Sequence, residues 1–144
     1  MYLVNTHPDF CFVVNTLSQF MVEPRSVHWV ASKHVLHYLS GTVDVGLDDR
    51  RLEGIRLVGY TDSDWAGSVA DRKSTSGCCF NLGLAAMLWF SRKQKSVALS
   101  FVEAEYMAAN QAICEALWFC KLLVNLFCQE LRPTMIYCDN QSCI

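Results

Sequence analysis

The sequence predicts an α/β domain that follows a short helical segment. Two amphipathic helices are expected first, at residues 10–20 and 27–39, because apolar side chains recur there at three- and four-residue spacing. Three short apolar runs at 55–61, 77–82 and 86–90 then alternate with polar stretches, which is typical of consecutive antiparallel strands. A long helical pattern around residues 109–127 and a last apolar run at 134–138, expected to be buried, complete a sheet backed by helices.

The boundary between the two parts is predicted at residues 41–54, which are rich in Gly, Asp and Arg. We therefore expect a helical segment at 1–45 and an α/β domain at 55–144. A content of 52% hydrophobic residues in 144 positions is ample for one core. The net charge of -2 argues against a protein that holds nucleic acid by bulk charge alone.

The eight cysteines show no CxxC pair and no Cys/His spacing typical of a zinc site. No segment resembles a signal peptide, so we expect reduced, mostly buried thiols in an intracellular protein, cytoplasmic or nuclear, that is not secreted. The longest apolar run, residues 10–22, contains Asn, Thr, Ser and Gln and is too short to span a bilayer. No membrane partner is expected.

Carboxylates occur where strands end and where the long helix starts. Asp62 and Asp64 follow the first predicted strand, Glu105 lies early in the helix, and Asp139 follows the last strand. Because strand ends and helix starts meet at one edge of such a sheet, these side chains are expected to converge. Taken alone, Asp62 and Asp64 also fit an exposed strand end with a turn.

Glu103 and Glu105 have different expected roles. Ser100 and Glu103 fit a capping box, in which Ser100 accepts from the Glu103 N–H and Glu103 accepts from the Ser100 N–H. Glu105 lies four and seven residues before Ala109 and Ala112, on the helix face expected to pack on the sheet. A carboxylate there is costly unless a cation or a partner compensates its charge.

Clustered carboxylates repel one another unless a cation or a shared proton holds them together. Oxygen ligands alone favour Mg²⁺ or Mn²⁺. Two such ions about 3.5–4 Å apart activate a water molecule and stabilise the leaving oxygen in phosphodiester cleavage. The pattern therefore points to a two-ion site for phosphodiester chemistry.

Several separate blocks resemble one family. "LVGYTDSDWAG", "DRKSTSG", "WFSRKQKSVALS", "EAEYMA" and "IYCDNQS" resemble the ribonuclease H domain of copia-type retrotransposon polyproteins, in the same order. The first 45 residues resemble the segment that connects reverse transcriptase to that domain. The resemblance implies a ribonuclease H-like mixed sheet, with three antiparallel strands, a helix and a parallel strand.

By this resemblance, Asp62, Glu105 and Asp139 are the metal ligands and catalytic residues, and Asp64 is expected to support them without binding the metal. The implied reaction is metal-dependent cleavage of RNA in RNA–DNA hybrids, with the hybrid recognised by its shape and 2′-hydroxyls. Reverse transcriptase supplied in trans is a further implied partner. The phosphate contacts are expected from the basic residues Arg72, Lys73, Arg92, Lys93 and Lys95.

The sequence also departs from the family pattern. A further Asp, with a nearby His, belongs to a later block that these 144 residues do not contain, so three of four metal carboxylates are expected in a fragment truncated at both ends. The alternative function is an inactive nucleic-acid-binding remnant of a decayed retroelement. A third is an interaction module on the N-terminal helices.

Trp89 and Trp118 lie in apolar runs and are expected to be buried.

Overall fold

The computed structural model describes residues 2–46, 56–128 and 133–141. Its chain divides into two compact units, Met1–Asp48 and Asp49–Ile144. The expected start of the first strand at residue 55 and the expected helical turn at 142–144 lie outside the described residues.

The first unit is helical. Its elements are α1 (Tyr2–Thr6), α2 (Pro8–Ser18) and α3 (Ser26–Gly41). The two longer helices were predicted, whereas the single turn of α1 was not. Pro8 opens α2, where its fixed φ suits the first turn and its missing N–H leaves no donor unsatisfied. Phe10 is buried and meets the Tyr38 ring edge-on at a centroid distance of 5.3 Å.

The second unit is built on a four-stranded sheet. Its strands are β1 (Leu57–Ser63), β2 (Thr75–Leu82), β3 (Ala85–Lys93) and β4 (Met135–Cys138), in the order β3-β2-β1-β4. The first three pair antiparallel, and β4 pairs parallel to β1. This is the predicted fold class, a ribonuclease H-like mixed sheet.

Two expectations about the strands were wrong. β1 runs two residues beyond its predicted end, so Asp62 lies inside the strand rather than after it. β4 was expected to be buried, but it lies at the edge of the sheet and its residues alternate between exposed and half-buried. An edge strand has a neighbour on one side only, and its apolar composition alone did not reveal that position.

The helix that backs the sheet is α4 (Phe101–Phe127). Ser100 caps it as predicted, because its hydroxyl accepts a hydrogen bond from the Glu103 N–H at 3.1 Å. The second half of the predicted capping box is shifted by one residue. The Glu103 carboxylate accepts from the N–H of Leu99, at 2.6 Å, instead of from that of Ser100.

The face that α4 turns to the sheet includes Glu105 and Ala112, as predicted. Trp118 was expected to be buried but is exposed, as are Ile113 and Val124. Small side chains let a helix approach a sheet closely, and the alanines of α4 recur at four-residue spacing along the inner face. The buried residues of the helix are Ala104, Glu105, Ala108, Ala112, Ala116, Phe119 and Leu123.

The core of the second unit lies between α4 and the sheet. Phe80 is fully buried in β2, Leu57 is buried in β1, and both pack with the inner face of α4. Because alternate residues of β1 face α4, Thr61 and Ser63 are also buried, whereas Tyr60 and Asp62 lie on the opposite, exposed face.

The cysteines are less buried than expected. Cys11 and Cys78 are buried, but Cys114 and Cys128 are exposed and the other described thiols are intermediate. Burial, together with the nearby charge of Glu115, raises the pKa of Cys78 to about 12.

Helix α4 is long and apolar enough to cross a membrane by length and composition. It is the one such helix in the part of the chain that the structure describes. Core helices of water-soluble proteins pass the same test, and α4 packs on β1 and β2 through one face.

Candidate metal centre

The candidate site lies where β1, β4 and α4 meet. The parallel register pairs Thr61 with Cys138, so Asp62 and Asp139 are each one position beyond that pair. Both carboxylates are exposed. The sheet thus brings the ends of two strands that are distant in sequence to the same edge, beside the start of α4.

Glu105 enters this edge from α4 and is fully buried. One carboxylate oxygen, Oε1, accepts from the Ser63 N–H at 3.3 Å, and the other, Oε2, lies 3.6 Å from the Cys138 thiol, which donates to it. Burial raises the pKa of the Glu105 carboxyl, and the charges of Asp62 and Asp139 raise it further. Asp62 and Asp139 are therefore both close enough to act on Glu105 through their charges.

The ligand atoms of Glu105, Cys138 and Asp139 all lie within 4.8 Å of one another. Asp62 is not a member of this group, although its charge acts on Glu105. The sequence reasoning had missed Cys138, which it treated as the apolar end of a strand. Its position directly before Asp139 was the available signal.

The donor set fits a divalent cation. Glu105 is a buried carboxylate with two further carboxylates nearby, and within the described ranges no Lys, Arg or His forms an ion pair with it. Uncompensated buried charge of this kind is costly, and a cation would remove the cost. Asp62, Glu105 and Asp139 offer the hard oxygen atoms that Mg²⁺ or Mn²⁺ takes.

Asp64 contacts the neighbouring strand. Its carboxylate accepts from the Thr75 N–H at 2.6 Å, and its own N–H donates to the Thr75 carbonyl at 3.2 Å. A side chain at Gly67 would collide with the same carboxylate. Asp64 therefore joins the end of β1 to the start of β2, and an indirect role toward a metal stays a prediction.

A buried polar cluster lies directly behind Glu105, and the sequence reasoning missed it. The Gln94 amide nitrogen donates to Ser63 Oγ (3.2 Å), Ser76 Oγ (2.9 Å) and the Ala104 carbonyl (2.9 Å). Gln94 stands between Lys93 and Lys95, but its side chain is buried and its Oε1 has no partner within the described ranges. The cluster ties β1 to the helix position that precedes Glu105.

The five predicted phosphate-binding residues differ in their surroundings. Arg92 pairs with Glu115 at 3.3 Å, and Lys93 pairs with Asp71 at 2.9 Å. Hydrogen bonds from Ser68 and Lys93 lower the pKa of Asp71 to about 2. Arg92 and Lys93 would therefore have to exchange a carboxylate for a phosphate, whereas no ion pair forms at Arg72, Lys73 or Lys95 in the described part of the chain.

The mixed sheet, its backing helix and the carboxylates at their common edge define a protein of the ribonuclease H-like class. The chain belongs to the copia-type retrotransposon Pol polyproteins. It is 44% identical over 139 residues to the retrovirus-related Pol polyprotein from transposon RE2 of Arabidopsis thaliana, and 40% identical over 142 residues to that from transposon TNT 1-94 of Nicotiana tabacum.

These alignments cover 96% and 99% of this chain but 10% of each polyprotein. The chain thus spans about a tenth of the length of these relatives. It is also 50% identical over 119 residues to a protein of Plasmopara viticola described as secreted RxLR effector protein 161, covering 82% of this chain and 84% of that one. No family model and no solved structure matches the chain.

Proposed function

We propose that this chain carries the ribonuclease H site of a retrotransposon Pol polyprotein and cleaves the RNA strand of RNA–DNA hybrids. The observation that carries the proposal is Glu105, a fully buried carboxylate at the start of α4 on which Asp62 and Asp139 act from two strand ends. Membership in the Pol family supports the same function.

In this proposal, Asp62, Glu105 and Asp139 hold Mg²⁺ or Mn²⁺. A bound pair of such ions supplies an activated water molecule and stabilises the leaving oxygen of the phosphodiester. The chain positions the ligands. The Ser63 N–H donates to one oxygen of Glu105, and the parallel pairing of β4 with β1 sets Asp139 beside Glu105. The basic residues Arg72, Lys73, Arg92, Lys93 and Lys95 would contact the phosphates.

The test is cleavage of a labelled RNA–DNA hybrid by the whole chain with Mg²⁺, compared with the same reaction in EDTA. Asp62→Asn removes one ligand charge at an exposed position and is expected to reduce the rate by more than the roughly 10- to 100-fold that outer contacts cost at metal sites. Asp44→Asn, an exposed change in the first unit, is the matched control and should retain the rate. Equal rates in both variants, or cleavage that persists in EDTA, would overturn the proposal.

A second candidate function is nucleic-acid binding without cleavage. Tyr60 and Tyr137 are neighbours on β1 and β4, about half exposed, with stacked rings 5.5 Å apart. Exposed aromatic rings on a sheet are a surface on which bases stack, at about 1–3 kcal/mol per base.

This second candidate is tested by hybrid binding in EDTA, measured by fluorescence anisotropy. Tyr60→Ala should weaken binding by about 5- to 150-fold, the equivalent of one lost stacking contact. Tyr106→Ala, which removes an exposed tyrosine from α4, should leave the affinity unchanged. Equal affinities in the two variants would exclude Tyr60 as a stacking residue.

We further infer an intracellular location, in cytoplasm or nucleus, and reverse transcriptase in trans as a partner. The resemblance of residues 1–45 to the segment that connects reverse transcriptase to its ribonuclease H domain supports the second inference. Imaging of a fluorescent fusion tests the first, and recovery of the fusion from culture medium would contradict it. Co-elution of the chain with a copia-type reverse transcriptase on size exclusion tests the second, and separate elution would contradict it.

A further inference from the structure

We propose that Cys138 joins Glu105 and Asp139 in a site for a thiolate-binding divalent cation of the Zn²⁺ class. The inference rests on the proposed function in one respect, since both place a cation on these carboxylates. The inference differs from the proposed function in adding the sulfur of Cys138 as a ligand, which favours a different metal ion.

The separation of the ligand atoms carries the proposal. Zn–S and Zn–O bonds of about 2.3 Å and 2.0 Å at a tetrahedral angle put sulfur and oxygen about 3.5 Å apart. Cys138 Sγ and Glu105 Oε2 are 3.6 Å apart in the thiol hydrogen bond that an ion would replace, and the ligand atom of Asp139 lies within 4.8 Å of both. Two ligands thus already stand at the edge length of a zinc tetrahedron, with the third close by.

The surroundings of the site also point to a cation. Glu105 is fully buried, and no basic side chain pairs with it in the described part of the chain. Cys138 is half-buried and held in register with Thr61, whereas Asp139 is exposed, so an ion can enter from the side of Asp139. Three protein ligands would leave one position of a tetrahedron open.

The sulfur ligand changes the order of metal affinities. Mg²⁺ requires six oxygen ligands in near-octahedral geometry and gains nothing from a thiol, whereas Zn²⁺ binds thiolate and carboxylate together. Zn²⁺ is therefore expected to bind this site more tightly than Mg²⁺ and to displace it from Glu105 and Asp139. The thiol proton passes to the buffer when the ion binds.

Cobalt(II) is the direct probe, because a cobalt–thiolate bond absorbs in the near ultraviolet and a cobalt–carboxylate bond does not. The whole chain is titrated with Co²⁺, alongside Cys138→Ser and the matched control Cys114→Ser, which changes an exposed thiol on α4. We expect the charge-transfer band in the wild type and in Cys114→Ser, its loss in Cys138→Ser, and its removal by Zn²⁺. No band in the wild type, or an equal band in Cys138→Ser, would overturn the proposal.

A second measurement needs no variant. Alkylation of the native chain by iodoacetamide is followed at each cysteine by peptide mass, with and without Zn²⁺. Zn²⁺ should slow the alkylation of Cys138 at least tenfold and leave that of Cys128, an exposed thiol, unchanged. Equal rates at Cys138 with and without Zn²⁺ would overturn the proposal.

The two proposals fail separately. A chain that gives the cobalt–thiolate band but never cleaves the hybrid keeps the thiol site and overturns the ribonuclease function. A chain that cleaves the hybrid with Mg²⁺ but gives no band keeps the function and overturns the thiol site.

Discussion

The burial of Glu105 suits a metal site but destabilises the fold when its carboxyl group is charged. Its carboxyl is fully buried, so its pKa is raised above the ordinary value, first by burial and then by the charges of Asp62 and Asp139. The folded chain therefore binds this proton more tightly than the unfolded chain does. Its contribution to stability is present in acid and is lost as pH rises through the raised pKa.

Glu105→Gln should consequently stabilise the metal-free chain at pH 8. The amide oxygen can still accept from the Ser63 N–H, but no charge is left to bury. We expect a higher midpoint of thermal unfolding than that of the wild type in EDTA, measured by circular dichroism, and no further rise on adding Mg²⁺. Glu103→Gln, at an exposed position two residues away, should give no such gain. A lower midpoint for Glu105→Gln than for the wild type would contradict the prediction.

Gln94 forms hydrogen bonds to groups next to Glu105 in both β1 and α4. Its amide nitrogen reaches the hydroxyl of Ser63, whose N–H binds Glu105, and the carbonyl of Ala104, which precedes Glu105 in α4. Removal of this amide deletes its hydrogen bonds to buried oxygen atoms.

Gln94→Ala is therefore expected to lower the free energy of unfolding by at least about 1–3 kcal/mol. Urea denaturation monitored by tryptophan fluorescence measures the change. Lys95→Ala, at the exposed neighbouring position, is the control and should stay within about 0.5 kcal/mol of the wild type. An equal loss in the two variants would show that the amide contributes nothing specific.

The sequence was informative about these residues to different degrees. Asp62, Glu105 and Asp139 were identified as candidates because a carboxylate is unusual in an apolar strand or on the inner face of a helix. Cys138 was missed because a cysteine fits an apolar strand equally well. Gln94 was missed because three basic residues surround it, and no local pattern indicates that one polar side chain in a charged stretch turns inward.

At the scale of the elements, β1 and β2 lie so close together at Gly59 that no side chain fits there. A Cβ on Gly59 would collide with the ring of Phe80, which is fully buried and cannot move aside. Gly77, in β2, has only ordinary contacts at 3.9 Å around the same hypothetical atom.

Gly59→Ala should thus destabilise the chain by about 1–3 kcal/mol, the usual cost of overpacking a core. Gly77→Ala, in the same sheet, should be neutral or slightly stabilising, because alanine loses less conformational entropy than glycine on folding. Chemical denaturation of the two variants under one set of conditions provides the comparison. Equal stabilities would mean that the Phe80 ring adapts.

The existence of the helices and strands was largely predictable, but which of their side chains are buried and where they lie in the sheet was not. Periodicity identified α4, its cap and the inner position of Glu105, yet it did not reveal that Trp118 is exposed. Likewise, apolar composition identified β4 but could not reveal that it pairs on one side only. Which strands pair and which side chains they bury depends on the whole sheet, so a local sequence pattern does not reveal it.

For the whole molecule, the antiparallel and parallel pairing of the strands followed from the family resemblance, and the thiols report whether that fold is intact. Burial raises the pKa of Cys78 to about 12, whereas Cys114 and Cys128 are exposed. Only the thiolate reacts with alkylating reagents, so reactivity should follow burial.

Iodoacetamide at pH 8 is expected to modify Cys114 and Cys128 in the native chain at least tenfold faster than Cys78. Peptide mass spectrometry gives the rate at each site. In urea at a concentration that unfolds the chain, the difference should disappear, which controls for the local sequence. Rapid modification of Cys78 without urea would mean that β2 does not pack under α4 in solution.

The place of β4 in the sheet also bears on how the protein is made. Among the described strands, β4 is the last but pairs with β1, the first, and it brings Cys138 and Asp139 to the candidate site. A ribosome adds about 5–20 residues per second, so several seconds separate the synthesis of Asp62 from that of Asp139. During that interval, β1 and β2 can already pair through their hairpin, but one side of β1 remains open. The centre therefore cannot form before Asp139 has left the ribosome, and any metal that it binds must arrive after that point.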